Sequence, residues 1–295
     1  MMANDTSMIG ISLGILAYGL FSVHDASIKW LVADLPVWQV LFCRSAAIVL
    51  ACLMIGRRPL LERSAATPLK APLLLRGLIT LVAWLCYFTA SRSLPLAQLL
   101  TLYFAAPLMV TLLAIRLLQE RVSRARWTSV AIGFIGVMLA SDPFGVRASV
   151  ATLLVLIAAA LWAYAIILMR QIARHEGTLL QMLATNLVLL IGTGIVCAFS
   201  WQAPNVAQTA LLISVAAFGG LGQFCLFEAA RMTPASVMAT VEYTALPWAF
   251  LLGFVIWGDI PSMAVFAGAG LILLAGGILV AAERSRSALR QRTGT

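Results

Sequence analysis

Asp25, Arg44 and Glu242 are ionisable residues set inside long apolar stretches of the sequence, where water cannot readily solvate them. A charge at such depth costs about 2.5–3.5 kcal/mol on insertion scales, so it normally faces a protein interior or a wet cavity. Tyr18, Ser22, Asp25 and Lys29 recur at i, i+4, i+7 and i+11, which places them on one face of a helix. At a rise of ~1.5 Å per residue, Asp25 lies roughly 9 Å and Arg44 roughly 12 Å from the same end of consecutive spans. They can therefore pair, and a structural ion pair and a gating role are both open to them. His24 beside them titrates near neutral pH when solvated, and a packed, neutral imidazole is the plainer account. Glu242, roughly 12 Å from the opposite end of its span, is the acidic candidate for attracting an ammonium group or carrying a proton.

Aromatic and hydroxyl residues supply the rest of a candidate site. Thr80, Trp84, Tyr87 and Ser91 repeat the helical spacing, as do Ser236, Thr240, Tyr243 and Pro247. Trp162 lies roughly 20 Å into its span, beyond an interfacial aromatic belt. An amino-acid ligand needs apolar and aromatic walls with a few polar groups fixing its charged ends. Tyr18, Ser22, Thr80, Trp84, Tyr87, Tyr103, Trp162, Thr240, Glu242 and Tyr243 are the candidate lining residues, and ordinary helix packing is the competing role for each ring. Pro107 and Pro247 each leave a backbone carbonyl without its helical donor, making them candidate hinges. Arg76 and Glu228 fall nearer a span end, where snorkelling toward water accounts for them.

The elements that must hold these residues are helices in lipid. Of 295 residues 62% are hydrophobic and 11% charged, against roughly 25% charged in soluble domains. Apolar blocks without strand alternation, about 20 residues long, leave helices as the spanning structure. Ten spans are predicted: 8–31, 36–55, 72–91, 95–118, 126–141, 149–170, 179–199, 210–230, 234–257 and 263–282. The first has no cleavage signal and is read as a retained helix. With the N-terminus inside, fourteen basic residues of the connections and tail fall in the cytoplasm and three outside, so both termini are predicted to be cytoplasmic. The +9 charge thus reports topology and not nucleic-acid binding. The five cysteines have no paired spacing and read as packing residues. No phosphate-binding loop, HExxH or Gly-x-Ser-x-Gly motif occurs, and the two histidines, His24 and His175, are far apart in sequence. No catalytic residue, metal or cofactor is therefore predicted; an intramembrane enzyme or a receptor remains the alternative class.

An offset near 140 residues places Tyr103 on Tyr243, Pro107 on Pro247, Lys29 on Arg170, and brings Glu120 near Asp259 and Gly136 near Gly276. The order holds across five spans, and five is odd, so the second half must enter the membrane in the opposite sense. The predicted fold is all-α and integral to the membrane: an inverted repeat of residues 1–141 and 149–282, with a basic cytoplasmic tail at 283–295.

Leu94-Pro95-Leu96-Ala97 through Ala106-Pro107 to Leu118-Gln119-Glu120-Arg121, and Pro234-Ala235-Ser236 through Leu246-Pro247 to Gly258-Asp259, resemble the drug/metabolite transporter superfamily in its EamA-type branch. Gln119 departs from the glycine common before that acidic residue. Within the branch the chain is most similar to bacterial amino-acid exporters of the YddG type. That resemblance implies a secondary transporter of the bacterial cytoplasmic membrane exporting amino acids, aromatic ones included, with the bilayer and a small-molecule substrate as its partners.

Overall fold

The computed structural model describes residues 2–106, 109–110, 113, 124–140, 149–232, 241–242 and 244–293. Its helices in chain order are α1 (Met2–Asp34), α2 (Val37–Ala66), α3 (Lys70–Ala90), α4 (Leu96–Tyr103), α5 (Arg124–Ala140), α6 (Val150–Ala173), α7 (Thr178–Ser200), α8 (Val206–Met232), α9 (Ala245–Trp257) and α10 (Met263–Thr293). Six of these, α1, α2, α3, α6, α7 and α8, are long and apolar enough to cross a membrane.

Local chemistry sets several boundaries. Pro36 and Pro95, both in extended backbone, precede α2 and α4, because a proline fits just ahead of a first turn whose N–H groups have no partner. Ser149 caps α6 by accepting the Thr152 N–H at 3.2 Å. The second span runs past its predicted end at 55 to Ala66, with a break at Arg57 (φ 46°, ψ −149°) ahead of Pro59. Proline at 59 can neither donate to nor tolerate the carbonyl four residues back, so the helix restarts in a new direction. The tail predicted from 283 is likewise helical, and α10 reaches Thr293.

The predicted fourth and ninth spans each contain a turn residue, at corresponding positions. Phe104, which ends α4, has φ −65° and ψ 2°, and Thr244, which precedes α9, has φ −65° and ψ −17°. Each stands three residues ahead of a proline in the sequence, and the two are 140 positions apart. Pro247 therefore lies in the first turn of α9, where an absent N–H costs little. Pro107, Thr240 and Tyr243 lie outside the described residues.

Helix packing follows a pattern that connects to the site. The most extensive contacts join α1 with α8, α2 with α7, α3 with α6, and α5 with α10; α4 meets α9. Exchanging each helix with the one five places along maps this set onto itself. Two further couples of pairs obey the same exchange, α2–α8 with α7–α3 and α1–α9 with α6–α4. Every principal contact thus joins the first five helices to the last five.

Side-chain contacts identify two ends. At the α1–α2 end, Arg92 donates to the Leu35 carbonyl at 2.8 Å, and Gln39 exchanges hydrogen bonds with the backbone of Gln202. Trp30 and Trp257 pack there at 6.3 Å between centroids, with their indoles suited to the headgroup region. At the α2–α3 end, Arg63 donates to Glu176 at 2.8 Å and Thr67 donates to the same carboxylate. Burial pushes the Glu176 carboxyl up, but the Thr67 and Arg63 hydrogen bonds outweigh it and hold it below its ordinary value. The surface between these ends is apolar, with Leu50, Met54, Phe134, Ile191, Ile213 and Val255 exposed, while Gln39, Arg44, Thr101 and Asn186 are buried. Such an inside-out distribution suits lipid as solvent.

The α5–α10 contact is close enough to require a glycine. A Cβ on Gly136 would stand 2.7 Å from the Gly268 carbonyl oxygen and 3.1 Å from Leu271 and Ile272, and the backbone atom cannot rotate away. Gly136→Ala is expected to destabilise the purified protein by about 1–3 kcal/mol, read as a lower melting temperature; an unchanged value would show that the helices are further apart than described.

Candidate functional site

A cavity lies among α1, α3, α4, α6, α8 and α9. Of the residues singled out from the sequence, Tyr18, Ser22, His24, Asp25, Trp84, Tyr87, Tyr103, Trp162 and Glu242 line it. Phe21, Phe88, Phe104, Leu226, Ala245 and Ala249 complete much of the wall. Tyr87 packs against Tyr103 edge to face at 5.1 Å between centroids, joining α3 to α4. Thr80 is buried beside the cavity and not in it; its Oγ1 donates to the Arg76 carbonyl at 2.8 Å.

The polar groups around Asp25 form a chain. Tyr87 donates to Asp25 Oδ2 at 3.2 Å, and His24 Nδ1 meets Asp25 Oδ1 at 2.8 Å. On the far side of the ring, Arg44 Nε donates to His24 Nε2 at 3.0 Å. Arginine has no acceptor, so Nε2 must be the acceptor and the ring proton resides on Nδ1, facing Asp25. The direct Asp25–Arg44 pair expected from the sequence is thus corrected to a relay in which a neutral His24 stands between the two charges. The physical reason is the arginine's other commitments: Nη1 donates to Asn186 Oδ1 at 3.2 Å, and Nη2 to the Gly219 carbonyl at 3.4 Å and to Gln223 Oε1 at 3.5 Å. These partners on α7 and α8 draw the guanidinium behind the cavity, where it is 0% exposed. It lies 4.3 Å from the Trp84 ring centroid, so it backs the aromatic wall without lining it.

Glu242 lines the same cavity as Tyr18. Arg76 also departs from expectation. It does not snorkel: it is 2% exposed, with Nη1 donating to Thr185 at 2.9 Å and its guanidinium 4.7 Å from the Phe227 centroid. The threonine and the ring hold the guanidinium inside the bundle, although its buried Nε has no hydrogen-bond partner. Glu228, by contrast, sits at the α2–α3 end between Thr178 and Arg231.

Asn186 and Gln223 are site residues that the sequence reading missed. Their signal was available, since a carboxamide isolated in an apolar helix carries the same penalty logic as a charge.

The EamA-like transporter family model matches the chain twice, over residues 8–142 and 149–281. The chain belongs to that family. This EamA-like protein is 27% identical to the pseudopaline exporter CntI of Pseudomonas aeruginosa over 277 residues, covering 93% of this chain and 96% of the relative. It is 28% identical to a riboflavin transporter of Vibrio cholerae over 214 residues, covering 72% and 70%. It is 23% identical to an S-adenosylmethionine uptake transporter of Rickettsia bellii, covering 95% and 96%. One solved crystal structure shares its fold with a TM-score of 0.69 at 17% identity, covering 96% of this chain and 98% of the other. The protein is therefore a multi-pass membrane transporter of small metabolites and not an enzyme. The names of these relatives support the wider family and do not single out exporters of aromatic amino acids.

Gly219 makes room for the relay. A Cβ there would stand 2.7 Å from Arg44 Nε and 2.6–2.9 Å from two His24 ring atoms, forcing apart a pair held in place on both sides. Gly219→Ala is expected to cost about 1–3 kcal/mol in thermal unfolding of the purified protein. A melting temperature equal to wild type would mean that the Arg44–His24 contact contributes nothing to stability.

Proposed function

We propose that this protein is a secondary transporter that exports small metabolites, amino acids with aromatic side chains among them, from the cytoplasm by alternating access. The cavity is the observation that carries the reading. It lies between helices of both halves, offers rings to an apolar body, and holds two carboxylates, Asp25 and Glu242, for an amine.

The mechanism rests on two five-helix repeats, 1–141 and 149–282, of opposite orientation. Supporting it are the double family match, the self-mapping set of packed pairs, and the turn residues at corresponding positions, Phe104 and Thr244. Inverted units give two conformations of similar energy, open in turn to each side. The hinges would be these turns, next to Pro107 and Pro247, and both termini would be cytoplasmic.

Closure at the α1–α2 end has a specific contact. Lys29 donates to the carbonyls of Leu94 at 2.6 Å and Ser91 at 3.2 Å, and its Nζ lies 5.3 Å from the Trp257 ring centroid. One side chain thus ties α1 and the α3–α4 connection to the end of α9, across the two halves. Lys29→Gln should change turnover while leaving substrate affinity within about twofold; an affinity change without a turnover change would move Lys29 from the gate to the binding site.

The relatives named for pseudopaline, riboflavin and S-adenosylmethionine favour a second reading, in which the cargo is one of those compounds or a similar metabolite. Proteoliposomes loaded with radiolabelled tryptophan, methionine, threonine, riboflavin or S-adenosylmethionine distinguish the two. Flux of an amino acid above empty vesicles is expected. Flux confined to riboflavin or S-adenosylmethionine would replace amino-acid export by the second reading, and flux of none would remove both assignments.

A further inference from the structure

Asp25 and Glu242 both line the cavity, but only one of their charges is already balanced. Asp25 is coupled through His24 to the Arg44 guanidinium and takes a further hydrogen bond from Tyr87. Its negative charge thus belongs to a neutral unit of carboxylate, imidazole and guanidinium. Glu242 shares the cavity wall with Tyr18. Among the described residues that form the wall there is no arginine or lysine.

Arg44 and Lys29 are committed elsewhere. Arg44 distributes its donors among His24, Asn186, Gly219 and Gln223, while Trp84 covers one face of its guanidinium. Lys29 is bound to two main-chain carbonyls. A carboxylate entering this cavity would meet two carboxylates and find no arginine or lysine among the described residues of the wall. An ammonium group would meet Glu242 together with the rings of Tyr18 and Tyr103, a residue type that attracts cations through its ring quadrupole. Trp84 contributes less to that attraction, since Arg44 already stacks on it.

We propose that the cavity selects its ligand by one cationic group, an ammonium or comparable organic cation seated between Glu242 and the tyrosine rings, with a flat apolar body against the remaining aromatic wall and no subsite for a carboxylate. The proposal rests on the reading of this cavity as the transport site. It reverses one assumption about amino-acid cargo, because the α-carboxylate becomes a group that the site tolerates and does not recognise. A decarboxylated amine is then the better ligand.

Three indoles that differ only in their charged groups test this. Equilibrium binding of radiolabelled tryptamine, tryptophan and indole-3-propionate to the purified full-length protein in detergent at pH 7 should show tryptamine binding at least as tightly as tryptophan. Indole-3-propionate should bind at least about tenfold more weakly than either, the loss expected when a buried charge goes unpaired. Tighter binding of tryptophan than of tryptamine, or indole-3-propionate within about tenfold of tryptamine, would overturn the proposal and leave the cavity standing as the site. Binding of none would remove the cavity as the site for such cargo, and the proposal with it. Glu242→Gln should weaken tryptamine binding by about tenfold or more at an unchanged melting temperature; tryptamine affinity equal to wild type in a folded variant would also overturn the assignment. Where that variant does not fold, the wild-type ligand series alone decides.

Discussion

A guanidinium with no access to solvent is the constraint around which this protein is organised. Removing a partner from a buried charge costs about 3–5 kcal/mol, because the remaining charge has nothing to replace it. Arg44 on α2 therefore dictates what must approach it: His24 from α1, Asn186 from α7, and Gly219 with Gln223 from α8. Two of those helices belong to the first five and two to the last five. A side chain placed for electrostatic reasons thus also fastens the halves together, and it does so directly behind the cavity wall.

The consequences pass outward from that contact. Because Arg44 donates to His24, the imidazole must present its proton to Asp25, and Asp25 is held with its second oxygen toward Tyr87. Tyr87 in turn packs on Tyr103 of α4, the helix that ends at Phe104. The geometry of the cavity is in this way coupled to the turn that follows α4. Such coupling is what alternating access needs, since a ligand shifts a conformational equilibrium only through contacts that differ between the two states.

Much of this was legible in the sequence, for reasons that can be traced to particular residues. The price of burying charge made Asp25, Arg44 and Glu242 conspicuous, and helical spacing put Tyr18, Ser22 and Asp25 on one face, where the cavity lies. The pairing within the cluster was less accessible. Whether Arg44 reaches Asp25 or His24 depends on Gly219, which lies 175 positions away on α8 and leaves the space that the two side chains share. Arg76 was misjudged similarly: its depth along α3 suggested snorkelling, but Thr185 and Phe227 on two distant helices supply the surroundings that keep it in. The end of the second span was missed where proline chemistry overrode hydropathy, at Pro59.

The central claim is that the space enclosed between the two halves is the compartment through which cargo passes. Ala83 is a small cavity-lining residue on α3, suited to carry a single cysteine once the five native cysteines are replaced. Reaction of that cysteine with a membrane-impermeant thiol reagent, measured from each side of the membrane with and without a transported compound, tests the claim most directly. The account predicts labelling from at least one side at a rate that the transported compound changes. Labelling from neither side, or at a rate indifferent to the compound, would contradict it.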